Sequence, residues 1–198
     1  MDAEKIVNKI SKEHGTIKNV YFLACGGSLV DLYPGYYFLR AESAVMDAQW
    51  IPAREFALTP PRKLGKDSLL VICSHSGKTK ECLEAAKAGM EAGAAVVTMT
   101  HAPGSACDTD EWISIVYDWA PGVKEAEKPQ GIVLRLLNEL MKIQEPGYGL
   151  YDKIAEGFGK IDEIIAEAVK DQQNAAWLFA EKYSEEPNLY IMASGASY

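Results

Sequence analysis

The sequence predicts an α/β protein with three layers, in which helices cover both faces of a mainly parallel, doubly wound sheet. Three observations predict this fold class. Apolar runs of strand length alternate with segments of helical periodicity along most of the chain. The runs are apolar throughout, as strands are when helices cover both faces of a parallel sheet. Turns rich in glycine and hydroxyl groups follow two of the runs, where such sheets bind their ligands.

The individual elements follow from apolar spacing and from the positions of glycine and proline. The predicted strands are 20–25, 44–48, 69–73, 94–100, 112–117 and 188–193. The predicted helices are an N-terminal one that Gly15 ends, a second one that follows Gly26-Gly27-Ser28 and runs to about 41, a short one that begins at 54–56, and longer ones over 80–90, 131–143 and 151–183. The stretch 120–129 is predicted to be a loop.

The chain divides into residues 1–150, a first complete domain, and residues 151–198, a linker helix with the first strand of a second, truncated domain. The segment 193–198 resembles 24–29, since both place a glycine turn after a strand. We therefore expect the second half of a tandem repeat to be missing. The long helix 151–183 would then expose apolar side chains, and we expect a homodimer or a higher homo-oligomer to cover them.

Composition excludes several classes of partner. The chain of 198 residues carries a net charge of −8, which argues against binding to nucleic acid or to an anionic membrane. Its N-terminus resembles a charged amphipathic helix and not a signal peptide, and no apolar run reaches membrane-spanning length. The four cysteines form no CxxC pair. We expect free thiols, a cytoplasmic location and no metal.

The most informative segment is Ser74-His75-Ser76-Gly77-Lys78-Thr79, between the strand 69–73 and the helix 80–90. Three hydroxyls and the N–H groups of a helix N-terminus would converge there, an arrangement that binds phosphate. Gly77 lets the backbone approach the anion closely, and Lys78 and His75 can add positive charge. The alternative is an ordinary helix cap made by Ser76 or Thr79, with Lys78 and His75 in solvent. The spacing differs from that of a P-loop.

A second glycine turn, Gly26-Gly27-Ser28, follows the first strand. It lacks the third glycine of a dinucleotide fingerprint, and no acidic partner for a ribose is well placed, so we expect no nucleotide cofactor. Other candidates are weaker. Glu55 could face the site or form a surface ion pair with Arg54, and His14 and His101 have no visible nucleophile nearby. An acidic turn at 108–111 is a metal candidate but is more typical of a solvated turn.

Taken together, Phe22-Leu23-Ala24-Cys25-Gly26-Gly27-Ser28 and Ser74-His75-Ser76-Gly77-Lys78-Thr79-Lys80-Glu81 resemble the SIS (sugar isomerase) domain family. Its phosphate loop, S-x-S-G-x-T, is matched by Ser74, Ser76, Gly77 and Thr79. Its first-strand pattern, A-C-G-x-S, places Ser28 where the family contacts the sugar. Arg54-Glu55-Phe56 resembles the S-E-F element of the family, and the match covers most of residues 18–145.

The resemblance implies a substrate and a site. The substrate is a phosphorylated sugar or sugar-amine, and no cofactor is implied. Ser74, His75, Ser76, Gly77, Lys78 and Thr79 would bind the phosphate, and Gly26, Gly27 and Ser28 the sugar. In the family the acid–base pair, a Glu and a His, belongs to the second half of the protein. Catalytic residues are therefore expected beyond Tyr198, and none is assigned within the sequence.

The branch of the family is less defined. The synthases that make glucosamine 6-phosphate carry a segment like E-I-G-V-A-S-T-K, whereas residues 121–128 here are PGVKEAEK, without the small hydroxyl pair. The sequence is closer to fructosamine-6-phosphate deglycases of the fructoselysine type, hydrolases that release glucose 6-phosphate and an amino acid by acid–base catalysis. Two alternatives remain: an aldose–ketose or amino-sugar isomerase, and a non-catalytic sensor of sugar phosphates.

Overall fold

The computed structural model describes residues 1–192, so the predicted strand-and-turn repeat at 193–198 lies outside the described residues. The strands within that range are β1 (Asn19–Ala24), β2 (Asp47–Pro52), β3 (Ser68–Cys73), β4 (Ala95–Thr100) and β5 (Ile113–Val116). The helices are α1 (Ala3–His14), α2 (Gly27–Asp31), α3 (Tyr33–Glu42), α4 (Ala53–Leu58), α5 (Lys80–Glu91), α6 (Pro129–Gln144) and α7 (Tyr151–Tyr183), with a 3₁₀ turn at Glu125–Glu127.

The strands form a parallel sheet with the order β2-β1-β3-β4-β5. β1 pairs with β2 on one side and with β3 on the other, and Ala24 lies opposite both Pro52 and Cys73. The chain therefore winds in one direction from β1 to β2 and in the other from β3 to β5. The predicted doubly wound, three-layer fold is confirmed.

Each face of the sheet has its own apolar core, because alternate residues of a strand point to opposite faces. Phe22 and Val71 face α1, α3 and α6. Tyr21 and Ile72 face α4 and α5 on the other side. Every residue of β1, β3 and β4 is buried, which explains why these strands are apolar throughout. Side chains can meet solvent and ligands at the ends of the strands.

The helix predicted between the turn Gly26-Gly27-Ser28 and about residue 41 is two helices in the structure. α2 ends at Asp31, and α3 begins at Tyr33 with Pro34 in its first turn. Proline lacks an N–H and its ring clashes with the carbonyl four residues earlier, so one continuous helix cannot pass through position 34. The break leaves Asp31 at a helix end beside the glycine turn.

The strand predicted at 44–48 begins three residues later, at Asp47. The backbone N–H groups before it bond to side chains and not to a neighbouring strand. Glu145 accepts from the N–H groups of Ala44 and Val45, and Ser43 Oγ accepts from Met46 at 2.8 Å. These bonds replace a sheet ladder, so residues 44–46 form a loop in which only Met46 is buried.

α7 has the predicted bounds, whereas the predicted strand at 188–193 is absent from its described part, 188–192. These residues are exposed and lie beside no other strand, and a strand needs a neighbour to satisfy its backbone groups. α7 itself exposes the apolar side chains that we expected: Ile164, Ile165, Val169, Trp177 and Phe179. The division of the chain at residue 150 stays a prediction.

A tight contact holds the 3₁₀ turn against the start of α6, and it predicts a stability effect. A Cβ at Gly131 would lie 2.5 Å from Ala126 Cα and would overlap the Glu125 carbonyl oxygen. Because both are backbone atoms, Gly131→Ala should lower the free energy of unfolding by about 1–3 kcal/mol. Chemical denaturation measures it.

Gly157→Ala is the matched control for that substitution. Gly157 is also helical, but nothing lies within 4 Å of its Cβ position. Alanine at position 157 should raise the free energy of unfolding by up to about 1 kcal/mol, because alanine has a higher helix propensity than glycine. Equal effects of the two substitutions would contradict the packing argument.

Candidate functional site

Both sequence motifs lie at the point where the winding of the sheet reverses. The turn Gly26-Gly27-Ser28 follows β1, and the phosphate loop, as we call Ser74–Thr79, follows the adjacent strand β3. In open parallel sheets, the loops that leave neighbouring strands in opposite directions open a crevice at this position. The topology thus brings the two predicted sites together.

Two of the three hydroxyls of the phosphate loop contact each other. Ser74 Oγ donates to Thr79 Oγ1 at 2.9 Å, and Ser74 is buried, with its N–H bonded to the Met99 carbonyl. Ser74 therefore braces the loop, and its bond leaves the Thr79 hydroxyl hydrogen able to donate to a ligand. Ser76 is exposed, and its Oγ accepts from the Lys78 N–H at 3.3 Å.

Thr79 occupies the N-cap position of α5, but its side chain makes no capping bond within the described residues. The alternative prediction that the Thr79 side chain caps the helix is therefore wrong. The first N–H groups of α5 remain without intrahelical acceptors, as in every α-helix. With the positive end of the helix behind them, they suit an anion.

Gly77 makes the sharp turn of the phosphate loop. Its φ is +64°, and its N–H donates to the Ser74 carbonyl at 2.9 Å. A Cβ here would overlap the Ser105 hydroxyl, and it would lie 2.5 Å from Ser105 Cβ and 2.8 Å from Thr100 Oγ1. Glycine is thus required by conformation and by space. The sequence did not reveal Ser105, whose buried hydroxyl has no hydrogen-bond partner among residues 1–192.

Three aromatic or imidazole side chains meet beside the phosphate loop, and we call them the His–Tyr cluster: His75, His101 and Tyr117. His75 Nδ1 lies 3.0 Å from the Tyr117 hydroxyl, and the two imidazole rings stack at 4.9 Å. His101 Nδ1 lies 3.1 Å from the Tyr117 carbonyl oxygen. Trp119 approaches His75 edge-on at 5.7 Å. The loops after β3, β4 and β5 thus converge.

Tyr117 is buried, and burial raises its pKa far above the ordinary value, so its hydroxyl keeps its proton near neutral pH. Burial likewise raises the pKa of the neighbouring Cys73 thiol to about 12, although hydrogen bonds from Tyr117 and Ser28 act in the opposite direction. Cys73 is therefore a neutral core thiol. All four cysteines are free, as predicted.

Asp31, at the end of α2, is a half-buried carboxyl that sequence reasoning missed. Burial raises its pKa, while the charge of His75 and a hydrogen bond from Gln130 oppose that shift. Gln130 Nε2 donates to Asp31 Oδ1 at 2.6 Å. The sequence places Asp31 only three residues after Ser28, which could have indicated a role in the site. Because one continuous helix was predicted here, the sequence did not show that Asp31 ends a helix.

The other candidates from the sequence are Glu55, His14 and the acidic turn at 108–111. Glu55 is exposed, and its neighbour Arg54 pairs with Glu84 on α5 at 3.2 Å. His14 ends α1 at the opposite edge of the sheet, where the strands begin. In the acidic turn, Asp108 accepts hydrogen bonds from Gly104 and Ser114, which lower its pKa.

No group of three or more His, Cys, Asp or Glu side chains among residues 1–192 could hold a metal ion. No helix in the same range is long and apolar enough to cross a membrane.

The stretch that departs from the synthase pattern lies next to the His–Tyr cluster. Lys128 pairs with Glu125, and its ammonium lies 5.8 Å from the centre of the Trp119 ring. The Glu125 N–H donates to Asp162 on α7 at 3.1 Å. Trp119 and Lys128 thus form a charged and aromatic wall beside the cluster, and the hydroxyl pair of the synthases corresponds to Ala126 and Glu127 before Lys128.

Comparison with known proteins agrees with this description. No protein-family profile matches the chain. Fructosamine deglycase FrlB of Bacillus subtilis is 31% identical over 183 residues, which are 92% of this chain and 56% of that protein. A glutamine–fructose-6-phosphate aminotransferase of Clostridium tetani is 32% identical over 113 residues, 57% of this chain and 18% of that protein. The chain thus spans about half of the first relative and less of the second.

Solved structures add the fold. A protein of Salmonella typhimurium described as a phosphosugar isomerase superposes with a TM-score of 0.85 at 31% identity, over 93% of this chain and 56% of that one. One from Bacillus subtilis, described in the same way, gives 0.81 at 28% identity, over 93% and 58%. The chain has the fold of these phosphosugar isomerases and is similar to them in sequence. The resemblance to the SIS family is thereby confirmed, with deglycases and phosphosugar isomerases as relatives.

The contact behind the phosphate loop predicts a coupled pair of substitutions. Gly77→Ala should lower the free energy of unfolding by about 2 kcal/mol or more, because strain at positive φ and overlap with Ser105 act together. Gly104→Ala is the control, since Gly104 has φ +68° but nothing within 4 Å of its Cβ position. Gly104→Ala should therefore show only the loss of stability that comes from backbone strain.

Ser105→Gly removes the overlapping side chain, so it should restore part of the loss in a Gly77→Ala background. Denaturation of the two single variants and the double variant gives the coupling energy. If the two effects are additive, the Cβ introduced at position 77 does not overlap the Ser105 side chain.

Proposed function

We propose that this chain is the sugar-phosphate-binding half of a fructosamine-6-phosphate deglycase of the fructoselysine type. The phosphate loop would hold the 6-phosphate, and the turn Gly26-Gly27-Ser28 would contact the sugar. The complete enzyme would release glucose 6-phosphate and an amino acid. The partners that we propose are a phosphorylated sugar-amine and a second copy of the chain, in the cytoplasm.

The main support for the proposal is that the hydroxyl of Thr79 and the first N–H groups of α5, at the reversal of the sheet, are not used by a helix cap. The Thr79 side chain makes no capping hydrogen bond to α5. Its hydroxyl oxygen accepts a hydrogen bond from Ser74 Oγ, so its own hydrogen can donate to a ligand. Lys78 is exposed beside them and can add positive charge. A dianionic phosphate satisfies these donors together, and charge-assisted hydrogen bonds are the strong ones.

The choice of a deglycase rests on sequence. The relative named as a fructosamine deglycase aligns with 92% of the chain, whereas the aminotransferase aligns with 57%. The segment before Lys128 supports the same choice, because it lacks the small hydroxyl pair that the synthases carry there. The structural relatives described as phosphosugar isomerases keep an aldose–ketose isomerase as the second candidate.

The proposed chemistry is acid–base catalysis. A proton transfer interconverts the ketosamine and its enolamine, and reprotonation gives an imine that water hydrolyses. The phosphate, held away from the reacting carbons, supplies binding energy that positions the sugar chain. The acid and base for these steps are proposed to belong to sequence beyond Tyr198.

The binding role of the loop is tested with Ser76→Ala. Loss of one hydrogen bond to a charged group should weaken the binding of glucose 6-phosphate by about 1–3 kcal/mol, which is about 5- to 150-fold in Kd. Titration calorimetry measures Kd, and Ser184→Ala, an exposed serine after α7, is the control. Unchanged affinity in Ser76→Ala would place the phosphate elsewhere.

A turnover assay tests the proposal that the acid and base lie outside residues 1–198. Residues 1–198 should release no measurable glucose 6-phosphate from fructoselysine 6-phosphate, because their acid–base pair for deglycation is proposed to lie elsewhere. A coupled dehydrogenase assay follows the product, with an enzyme that turns over fructoselysine 6-phosphate as the positive control. Release at a comparable rate would show that this half carries the whole reaction, whereas conversion of the sugar without loss of the amine would favour an isomerase.

A further inference from the structure

A polar cavity away from the two sequence motifs contains opposite charges that do not pair with each other. The cavity, of about 610 Å³, lies between the N-terminal segment 1–4, the turn 124–127, the middle of α6 and the start of α7. Among residues 1–192, neither the phosphate loop nor the His–Tyr cluster contributes to its lining. Its volume is typical of sites for small molecules.

The two opposite charges are those of Arg135 and Glu139, which lie four residues apart on α6. At this spacing an arginine and a glutamate are neighbours on a helix and attract each other, yet they form no ion pair within residues 1–192. The Arg135 guanidinium donates instead to the Met1 carbonyl at 3.4 Å. Glu139 accepts from the Tyr151 hydroxyl of α7 at 2.5 Å. Both charged side chains are half-buried and line the same cavity.

Further contacts fix Tyr151, which engages Glu139. The buried side chain of Asn138 donates from Nδ2 to the Tyr151 carbonyl at 3.1 Å, and its Oδ1 accepts from the Tyr148 hydroxyl at 2.6 Å. The Lys142 ammonium lies 3.9 Å from the centre of the Tyr151 ring. The separation of the two charges therefore depends on how α7 packs on α6.

We propose that this cavity binds a free α-amino acid. Such a molecule carries a carboxylate and an ammonium group on one carbon, so a single small ligand can pair with both charges of α6. Its carboxylate would bind the Arg135 guanidinium, because guanidinium groups form paired hydrogen bonds with carboxylates. Its ammonium would bind Glu139, whose carboxylate can accept more bonds than the one from Tyr151. Phe158 of α7 supplies apolar surface for the side chain of the ligand.

The other charged residues of the lining favour a basic amino acid. Asp2 pairs with Lys5 at 3.0 Å, which leaves Glu4 and Glu127 against Lys124. This excess of negative charge attracts a cationic side chain and repels an acidic one. Lysine fits best, and the proposed deglycase of the fructoselysine type would release it. The role of lysine as a product rests on the proposed function, whereas its binding in this cavity does not.

The test is titration calorimetry of residues 1–198 with L-lysine and two analogues. Cadaverine is lysine without its carboxylate, and 6-aminohexanoate is lysine without its α-ammonium group. L-Lysine should bind, and each analogue should have a Kd at least about 10-fold higher, because one charge of α6 is left without a partner. L-Glutamate should bind more weakly than L-lysine. These comparisons need no variant to fold.

Two variants assign the charges of the ligand to residues. Arg135→Gln should raise the Kd of L-lysine by about 10-fold or more and leave that of cadaverine unchanged. Glu139→Gln should abolish the preference for L-lysine over 6-aminohexanoate. Arg62→Gln is the matched control, because Arg62 is exposed and does not line the cavity. It should bind L-lysine as the wild-type protein does.

The outcomes separate this proposal from the proposed function. Absence of L-lysine binding, equal affinity for L-lysine and cadaverine, or wild-type affinity in both cavity variants would overturn the amino-acid site. The same samples are titrated with glucose 6-phosphate, whose Kd should be the same in Arg135→Gln and in the wild-type protein. Binding of L-lysine without binding of glucose 6-phosphate would overturn the phosphate site alone, and the reverse result would overturn the amino-acid site alone.

Discussion

The central position of β1, paired with β2 on one side and β3 on the other, is the constraint on which the rest of the structure depends. Because both of its edges are occupied, the chain that leaves β1 and the chain that leaves β3 must diverge. Helices cover both faces of the sheet, so polar groups can gather only at the strand ends. The glycine turn, the phosphate loop and the His–Tyr cluster all lie at the carboxyl ends for this reason.

Most of the fold could be predicted from the sequence, because burial on both faces requires strands that are apolar throughout. β3 and β4 were predicted almost to the residue, and α7 to the residue. The errors have local physical causes. Pro34 divides a helix that apolar spacing alone would continue. At 44–46, backbone N–H groups donate to the side chains of Ser43 and Glu145 and not to a neighbouring strand. The strand predicted near 188 has no neighbouring strand among residues 1–192.

The candidate site could be predicted only where a motif lies within one loop. The phosphate loop is such a case, since its hydroxyls and glycine are close in sequence. Ser105, Asp31 and Tyr117 are far apart in sequence, and each gains its role through a tertiary contact: with Gly77, with Gln130 or with His75. No spacing rule connects them, because their separation depends on how the strands are ordered in the sheet. Their chemistry became visible once the order β2-β1-β3-β4-β5 was known.

α7 has a mechanical consequence. Its first residues contact α6 and the 3₁₀ turn, and it follows a bend at Gly147, where φ is +89°. A helix of 33 residues is about 50 Å long, so a tilt of about 10° at its base would move its far end by about 9 Å. The hydrogen bond from the Glu125 N–H to Asp162 connects α7 to the stretch that carries Trp119 and Lys128. A load applied to the far end of α7 would therefore act directly on the wall of the crevice.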